Sequence, residues 1–264
     1  MKVYICVDSE GISGNVGGLD DVTRSRWMAE DANAAVTGVF DGGATEVVVK
    51  DACGTATTID PEQLDERARL IRGWTPEMCM VGTLDETFDA LLLVGAHARN
   101  HTEKGVLHHT HTGRIDEVRV NGRPFGEVGL NAGVAGHYGV PVVMVSGDEA
   151  VCAEASDLLG AVEAVCVKKG LAKHSAEIVP LKAARQMIHS AARRAVSDIS
   201  RFRPLVLDRP IEFEVEMPFV ARADMAALVP GVEKTGPRTV RASASDPLQM
   251  HRLMRVIFVM ASAD

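Results

Sequence analysis

The fold and the candidate chemistry of this chain both begin in residues 3–14, VYICVDSEGISG. The first five of these residues are apolar and mostly β-branched, which predicts a short buried strand over Val3–Val7. Asp8 and Glu10 follow directly, and three glycine and serine residues come close behind them. Two interpretations are open: the carboxylates mark the turn at a strand end, or they bind a metal. Side chains two residues apart lie on one face of an ideal strand, so the pair could serve one metal cluster.

Alternating strands and helices are predicted along the first two thirds of the chain. The predicted strands cover residues 45–51, 88–98, 140–149, 161–167 and 211–217, and the predicted helices cover residues 20–41, 150–159 and 180–197, with a closing helix that has Pro247 in its first turn. This alternation indicates an α/β fold, a mostly parallel sheet with helices on both faces. We expect a metal-binding catalytic domain over residues 1–199 and a smaller C-terminal α/β lobe over residues 200–264.

Composition narrows the class of protein. The 264 residues are 46% hydrophobic and 24% charged, which is enough for a sizeable core. The formal net charge of -8 argues against a nucleic-acid partner or an anionic membrane surface. No apolar run approaches the ~20 residues of a membrane helix. Five cysteines without a CxxC pair, and no signal peptide, lead us to expect reduced thiols in the cytoplasm.

Metal-ligating residue types gather where the predicted strands end, which is where ligands bind in open parallel sheets. The residues at these ends are Asp8 and Glu10, then Asp51 and Cys53, then His97, Arg99 and His101, followed by His108, His109 and His111, and by Glu127 in a glycine-rich, turn-rich stretch. Carboxylates with imidazoles are what a zinc or similar divalent site requires. A carboxylate can also bridge two cations ~3.5–4 Å apart, as in two-metal hydrolases.

Each of these residues also has an ordinary structural interpretation. His97 follows an apolar run and could be a hydrogen-bonded core histidine. The histidines of GVLHHTHTG could belong to a solvated loop, with at most two of them functional, and Glu127 alone could be a surface residue. Their joint occurrence at successive strand ends favours the metal site.

Five stretches resemble the M55 peptidase family. They are VYICVDSEGISG, LLVGAHAR, GVLHHTHTG, VNGRPFGEVGLNAGVAGHYGVPVVMVSGDE and VKKGL. The resemblance runs from residue 1 to about residue 200 and continues more weakly to the C-terminus. It implies a dinuclear zinc aminopeptidase that forms a ring-shaped homo-oligomer, a decamer, and acts on short peptides of the D-Ala type.

The resemblance also implies roles for particular residues. Asp8 would bridge two zinc ions, and Glu10, His97 and Glu127 would be further metal ligands. His109 would be the catalytic residue, acting as general acid and base or stabilising the oxyanion.

One position departs from the family pattern. The family's second strand typically ends in D-S-H, with the histidine binding zinc, whereas this chain reads KDACGT. Cys53 therefore stands where a histidine is expected. A thiolate is a good zinc ligand, so we predict that Cys53 is a ligand. A redox-sensitive thiol, a small buried residue and a nucleophile stay open as alternatives.

Asp51 and Asn131 are predicted to orient the metal ligands through hydrogen bonds. Their ordinary alternatives are a strand-end turn for Asp51 and a helix cap for Asn131.

The predicted function is metal-dependent hydrolysis of short peptides with a free N-terminal amine. One alternative is a hydrolase with the same type of site that acts on a different small amide. Two others are non-catalytic: a protein that binds phosphate in the glycine-rich stretch EGISGNVGG, and a ring protein whose metal site has decayed. The glycine-rich stretch lacks the Lys-Ser/Thr pair of a P-loop and does not fit GxGxxG.

Overall fold

The structure, a computed structural model, describes residues 1–75 and 80–262. Cys79 lies outside the described residues. The strands are β1 (Lys2–Val7), β2 (Glu46–Asp51), β3 (Ala68–Ile71), β4 (Ala90–Ala96), β5 (Glu117–Val120), β6 (Arg123–Pro124), β7 (Val142–Asp148), β8 (Glu163–Ala172), β9 (Ser175–Ile178), β10 (Ile211–Glu216), β11 (Val232–Lys234) and β12 (Thr239–Ala244). The α-helices are α1 (Asp21–Asp41), α2 (Glu127–His137), α3 (Glu149–Leu159), α4 (Leu181–Ser197), α5 (Val220–Ala226) and α6 (Pro247–Ser262). Two short 3₁₀ helices cover Pro61–Gln63 and Ile199–Arg201.

The larger sheet has seven strands in the order β3-β2-β1-β4-β7-β8-β9. All its pairings are parallel except that of β8 with β9. The chain runs outward from β1 to β3 on one side, and from β4 to β8 on the other. The strand order therefore reverses between β1 and β4, and in open α/β sheets the crevice at such a reversal is where ligands bind.

Helices cover both faces of this sheet, as predicted. Val3, Ile5 and Val7 of β1 pack with residues of α1 and α4 in one apolar cluster. Tyr4 and Cys6 point to the opposite face and pack with residues of α2 and α3. Because both faces of β1 are buried, its sequence is continuously apolar rather than alternating.

The second sheet is antiparallel and has five strands in the order β11-β12-β10-β5-β6. Its buried face packs against α6 through residues such as Phe213, Val215, Met254 and Ile257. Strand β10 alternates buried apolar residues with exposed or partly buried glutamates, as its apolar-acidic pattern predicted. Strands β5 and β6 come from residues 117–124, ahead of the predicted boundary at residue 200, which stays a prediction.

Most predicted elements lie within two residues of their expected bounds. The exception that bears on the site is α2. Its sequence, EVGLNAGVAGH, reads as turn-rich, yet it forms a helix of 11 residues. A Cβ atom at Gly136 would lie 1.9 Å from Leu205 O, so glycine lets another segment pack directly on the helix. Among the described residues, no helix is both long enough and apolar enough to span a membrane.

Candidate metal centre

The switch point between β1 and β4 is held together by close backbone contacts. Asp8 N donates to Val94 O at 2.9 Å, and Gly11 N donates to Gly95 O at 2.7 Å. A Cβ atom on Gly11 would lie 1.8 Å from Ala96 O, and one on Gly95, whose φ is +73°, would lie 2.2 Å from Asp8 O. Glycine is required at both positions, because only its missing side chain permits this approach. The loop after β1 is thereby fixed against the end of β4.

The first group of candidate ligands consists of Asp8, Glu10 and Cys53. One possible ligand atom from each of them lies within 4.8 Å of the others. Ser9 links two of the three: Cys53 Sγ donates to Ser9 Oγ at 2.9 Å, and Ser9 Oγ donates to Glu10 Oε2 at 2.9 Å. Strand β1 ends at Val7, so the two carboxylates converge through the loop geometry and not through the strand pleat expected from their spacing.

The second group consists of His97, His109 and Glu127, whose candidate ligand atoms meet the same 4.8 Å limit. His97 Nε2 lies 3.3 Å from Glu127 Oε1 and 3.4 Å from Asp8 Oδ2, so it joins the two groups. The rings of His97 and His109 are stacked, with centroids 4.0 Å apart. The five side chains predicted as ligands, together with His109, thus meet at one place.

The hydrogen bonds of the two imidazoles fit a cation at this place. His97 Nδ1 lies 3.0 Å from Ala98 O, and His109 Nδ1 lies 2.9 Å from Leu107 O. A carbonyl oxygen only accepts hydrogen bonds, so each Nδ1 carries the ring hydrogen and donates it. Metal-binding histidines usually donate such a hydrogen bond from the ring nitrogen that does not bind the metal. His97 Nε2 is buried and has no hydrogen-bond partner in the described part of the chain, although it faces two carboxylates. An imidazole nitrogen and carboxylates directed at one point require a positive charge there, which a bound metal ion or a proton on His97 supplies.

The groups of the site also shift one another's pKa values. Burial raises the pKa of Asp8 well above its usual range, and the neighbouring Glu10 adds to this. Burial opposes the charge of His97, but the Glu127 carboxylate outweighs it and raises the pKa of the imidazole to about 9. Burial would raise the pKa of Glu127, yet His97 lowers it overall. Burial raises the pKa of the Cys53 thiol to about 11, with Glu10 contributing.

The loop that carries His109 is held in an unusual backbone conformation. Leu107 and His111, two residues to either side of His109, have φ values of 52° and 61°. Non-glycine residues rarely occupy this region, and those that do are concentrated at functional sites. His111 N donates to Glu127 Oε1 at 2.7 Å, which fixes the loop to the second ligand group. His108 Nδ1 instead lies 3.3 Å from Asn100 Oδ1.

The glycine-rich loop after β1 closes over a buried lysine. Lys168 is 1% exposed, and its Nζ donates to Glu10 O at 2.6 Å, to Ile12 O at 3.1 Å and to Asn15 O at 2.6 Å. The loop therefore directs carbonyl oxygens at an internal cation. A phosphate-binding loop has the opposite polarity, because N–H groups converge on the anion.

Asp51 and Asn131 have different surroundings. The carboxylate of Asp51 accepts from Cys53 N at 3.2 Å and from Ile59 N at 2.7 Å, so it supports the backbone of a candidate ligand. Asn131 lies inside α2, and its Nδ2 donates to Met80 Sδ at 3.1 Å. Asn131 is therefore an interior helix residue and not a helix cap, and its role in orienting the metal ligands stays a prediction.

Both ligand groups open into a cavity of about 510 Å³. Its lining residues are Asp8, Glu10, Ala52, Gly54, Trp74, Met80, His109, His111, Thr112, Glu127, Arg255, Phe258 and Val259. Trp74, Arg255 and Phe258 were not predicted as site residues from the sequence. Trp74 Nε1 donates to Gly54 O at 2.8 Å, and the Phe258 ring stacks on His111 with centroids 4.7 Å apart. The sequence signal for Arg255 and Phe258 is their spacing of one helical turn on α6. That spacing places them on one side of a helix but does not indicate that they line a site.

Comparison with known proteins matches almost the whole chain. The sequence model of the peptidase family M55, described as D-aminopeptidase, matches residues 1–256. The chain belongs to the M55 peptidase family. A D-aminopeptidase of Bacillus subtilis (strain 168) is 37% identical over 271 residues, which cover 99% of this chain and 98% of the relative.

A solved structure has the same fold. It is described as "Zn-dependent D-aminopeptidase DppA from Bacillus subtilis, a self-compartmentalizing protease". The TM-score is 0.96 at 34% sequence identity, and the match covers 100% of this chain and 99% of the other. The family and fold expected from the sequence are confirmed.

Cys53 is the residue that sets this M55 chain apart from the family pattern given above. The cysteine is 8% exposed, and the structure places its thiol with two carboxylates, where a ligand would be needed. A thiol, an imidazole and carboxylates are all ligand types that zinc accepts in proteins. The donor set therefore fits zinc with cysteine at this position.

Proposed function

We propose that this chain is a zinc-dependent aminopeptidase that removes D-amino acids from the N-terminus of short peptides. The observation that carries the proposal is the convergence of two ligand groups, which share His97 as a neighbour, on the floor of one cavity. Membership of the M55 family over residues 1–256 supports the reaction class. Both relatives are described as D-aminopeptidases and one of them as zinc-dependent, which supports D-amino-acid substrates and zinc.

In this proposal Asp8, Glu10 and Cys53 would hold one zinc ion, and His97 and Glu127 would hold a second. When bound, the pair supplies Lewis acidity toward the scissile carbonyl and an activated water nucleophile. The chain's own groups account for substrate placement and proton transfer.

His109 is the proposed proton carrier. Its Nδ1 is held by Leu107 O, and its Nε2 lies 3.9 Å from Glu127 Oε1 and faces the cavity. Burial and the neighbouring His97 lower the pKa of His109, which favours a neutral imidazole that can accept a proton. The same nitrogen can then return the proton to the leaving amine. The free N-terminal amine of the substrate lies at the end of the cavity where Glu10 and Glu127 would hold the metal ions.

The test combines metal analysis with kinetics. Purified protein should contain about two zinc ions per chain and hydrolyse D-Ala-D-Ala faster than L-Ala-L-Ala, with activity lost in chelator. His109→Ala should retain zinc and lose roughly 10²–10⁴-fold in kcat. His108→Ala is the matched control, because the adjacent imidazole faces Asn100 and should change little. Full activity in His109→Ala rejects the catalytic role, and loss of zinc in that variant makes His109 a ligand.

Cys53 favours a second candidate, a hydrolase of a different small amide. A softer ligand in the first group changes the electron density at the metal and so its preferred substrate. A panel of D- and L-dipeptides and amino-acid amides separates the two candidates. A higher kcat/KM for amides without a peptide bond supports the second. A metal-free protein without hydrolytic activity contradicts both and supports a ring protein whose site has decayed.

We also propose that the chain works as a ring-shaped homo-oligomer, a decamer, in the cytoplasm. The structural relative is described as self-compartmentalizing, which supports assembly of this kind. Light scattering coupled to size-exclusion chromatography measures the mass of the particle. A particle of one or two chains contradicts the ring.

A further inference from the structure

Arg255 is a half-buried guanidinium on the wall of the candidate active site. It lies on α6, one turn before Phe258 and Val259, and all three residues line the same cavity as the metal-ligand groups. The helix is anchored by Met254 and Ile257, which are fully buried against the second sheet. Arg255 is therefore presented to the cavity by a fixed element and not by a free surface loop.

The guanidinium has no anionic partner among residues 1–75 and 80–262. The ion pairs and hydrogen bonds of the described residues engage other arginines, such as Arg238 with Asp116 and Arg241 with Glu214. Burial lowers the pKa of Arg255, as expected for a cation that loses water without gaining a partner. Arginine is effectively always charged in proteins, so Arg255 places a positive charge on the cavity wall that no described residue neutralises.

The position of Arg255 relative to the ligand groups suggests which anion it takes. Glu127 accepts a hydrogen bond from His111 N, the His111 ring stacks on Phe258, and Phe258 lies one helical turn from Arg255. The cavity thus has carboxylates at one part of its lining and, at another, a guanidinium that pairs with no carboxylate of the described residues. A volume of about 510 Å³ suits a small ligand and not a folded chain.

We infer that Arg255 binds the C-terminal carboxylate of the substrate, so that the enzyme prefers short peptides with a free carboxylate over their amides. This inference rests on the proposed aminopeptidase function and adds the substrate class. A short peptide matches the lining of the cavity: its N-terminal amine lies toward the two ligand groups, and its carboxylate lies toward Arg255. A planar guanidinium can bind a carboxylate through two parallel hydrogen bonds, which fixes orientation as well as affinity.

The kinetic test compares D-Ala-D-Ala with D-Ala-D-alaninamide, which differs only in the missing carboxylate charge. In Arg255→Met the ratio of kcat/KM for the acid to that for the amide should fall at least ~10-fold, mostly through KM. Arg255→Lys keeps the charge but lacks the paired donors, so its ratio of kcat/KM for the acid to that for the amide should lie between those of wild type and Arg255→Met. Arg252→Met is the matched control on the same helix, because Arg252 does not line this cavity, and its ratio should equal that of wild type.

A binding measurement separates failure of this inference from failure of the proposed function. Calorimetry with the same two peptides is done on His109→Ala protein, with and without Arg255→Met, so no turnover is needed. The dissociation constant for the acid should rise at least ~10-fold on loss of Arg255, and that for the amide should change much less. The role of Arg255 is overturned if the dissociation constants for acid and amide rise equally, or if the acid-to-amide ratio of kcat/KM is unchanged. Either result counts even if wild type is an active peptidase. A selective loss supports it even if wild type hydrolyses neither peptide.

Discussion

Lys168→Met is a direct test of how the loop that carries Glu10 is held. The methionine keeps the length of the side chain and removes an ammonium that donates to three carbonyl oxygens, at 2.6, 3.1 and 2.6 Å. A buried carbonyl left without a donor costs ~1–3 kcal/mol. Burial lowers the pKa of Lys168 to about 8, so the ammonium carries a desolvation cost that methionine lacks. The expected loss in the free energy of unfolding is therefore about 1 kcal/mol for each carbonyl and about 3 kcal/mol in all.

Thermal unfolding at one protein concentration measures this loss. A decrease of about 3 kcal/mol corresponds to a Tm lower by roughly 6–12 °C for a chain of this size. Lys169→Met is the matched control, because the neighbouring lysine is exposed and should leave Tm almost unchanged. The activity of Lys168→Met should also fall, since Glu10 and its carbonyl belong to the loop that loses its support.

Unfolding of the two variants within ~2 °C of each other would refute this role of Lys168, because that difference is below the change expected for 1 kcal/mol. That result would mean that the three carbonyls find other donors, and that close contacts at Gly11 and Gly95 hold the loop without the lysine. A lower Tm with unchanged kcat/KM would mean that Lys168 stabilises the fold but does not position Glu10 for activity.

Two further predictions concern cysteines. Cys53→Ala should lower the zinc content by about one ion per chain, with Cys166→Ala as the matched control, and an unchanged zinc content would remove Cys53 from the ligand set. A hydrogen bond with the Cys152 thiol lowers the pKa of Cys166 to about 7. The thiolate is the reactive form, so the rate at which iodoacetamide alkylates Cys166 should rise with pH and reach half its maximum near pH 7. In Cys152→Ala this midpoint should move up toward the ordinary thiol value of about 8.5. Identical midpoints in the two proteins would contradict the hydrogen bond as the cause.

The parts of the fold that could be predicted are those whose burial leaves a simple pattern. β1 and β4 are covered on both faces, so each is a continuous apolar run that ends at the first polar residues. β6 has two residues and β11 has three, and segments this short have no period to detect. Helix α2 was missed because its glycines read as turn residues, whereas Gly136 serves the packing of Leu205 against the helix.

Some residues of the candidate site could likewise be predicted from the sequence, and others could not. Asp8 and His97 could be predicted to meet, because they follow adjacent strands at the reversal of the strand order. Glu127 lies at the first position of α2, so its approach to His97 depends on a helix that the sequence pattern conceals. Arg255 comes from the far end of the chain, on a helix anchored by the second sheet, and only tertiary packing brings it to the cavity.

The site combines two kinds of support, and this has a consequence for how it works. Asp8 lies where backbone atoms of the two central strands are in contact, and a side chain at Gly11 or Gly95 would collide with that backbone. His109 lies on a loop between two residues in the left-handed region, and one hydrogen bond from His111 N ties that loop to Glu127. Metal ligands gain affinity from rigid placement, whereas a proton carrier has to reach both the attacking water and the leaving group. Changes in the His109 loop should therefore reduce turnover more than metal affinity, although the two supports meet at Glu127 and at the stacked rings of His97 and His109.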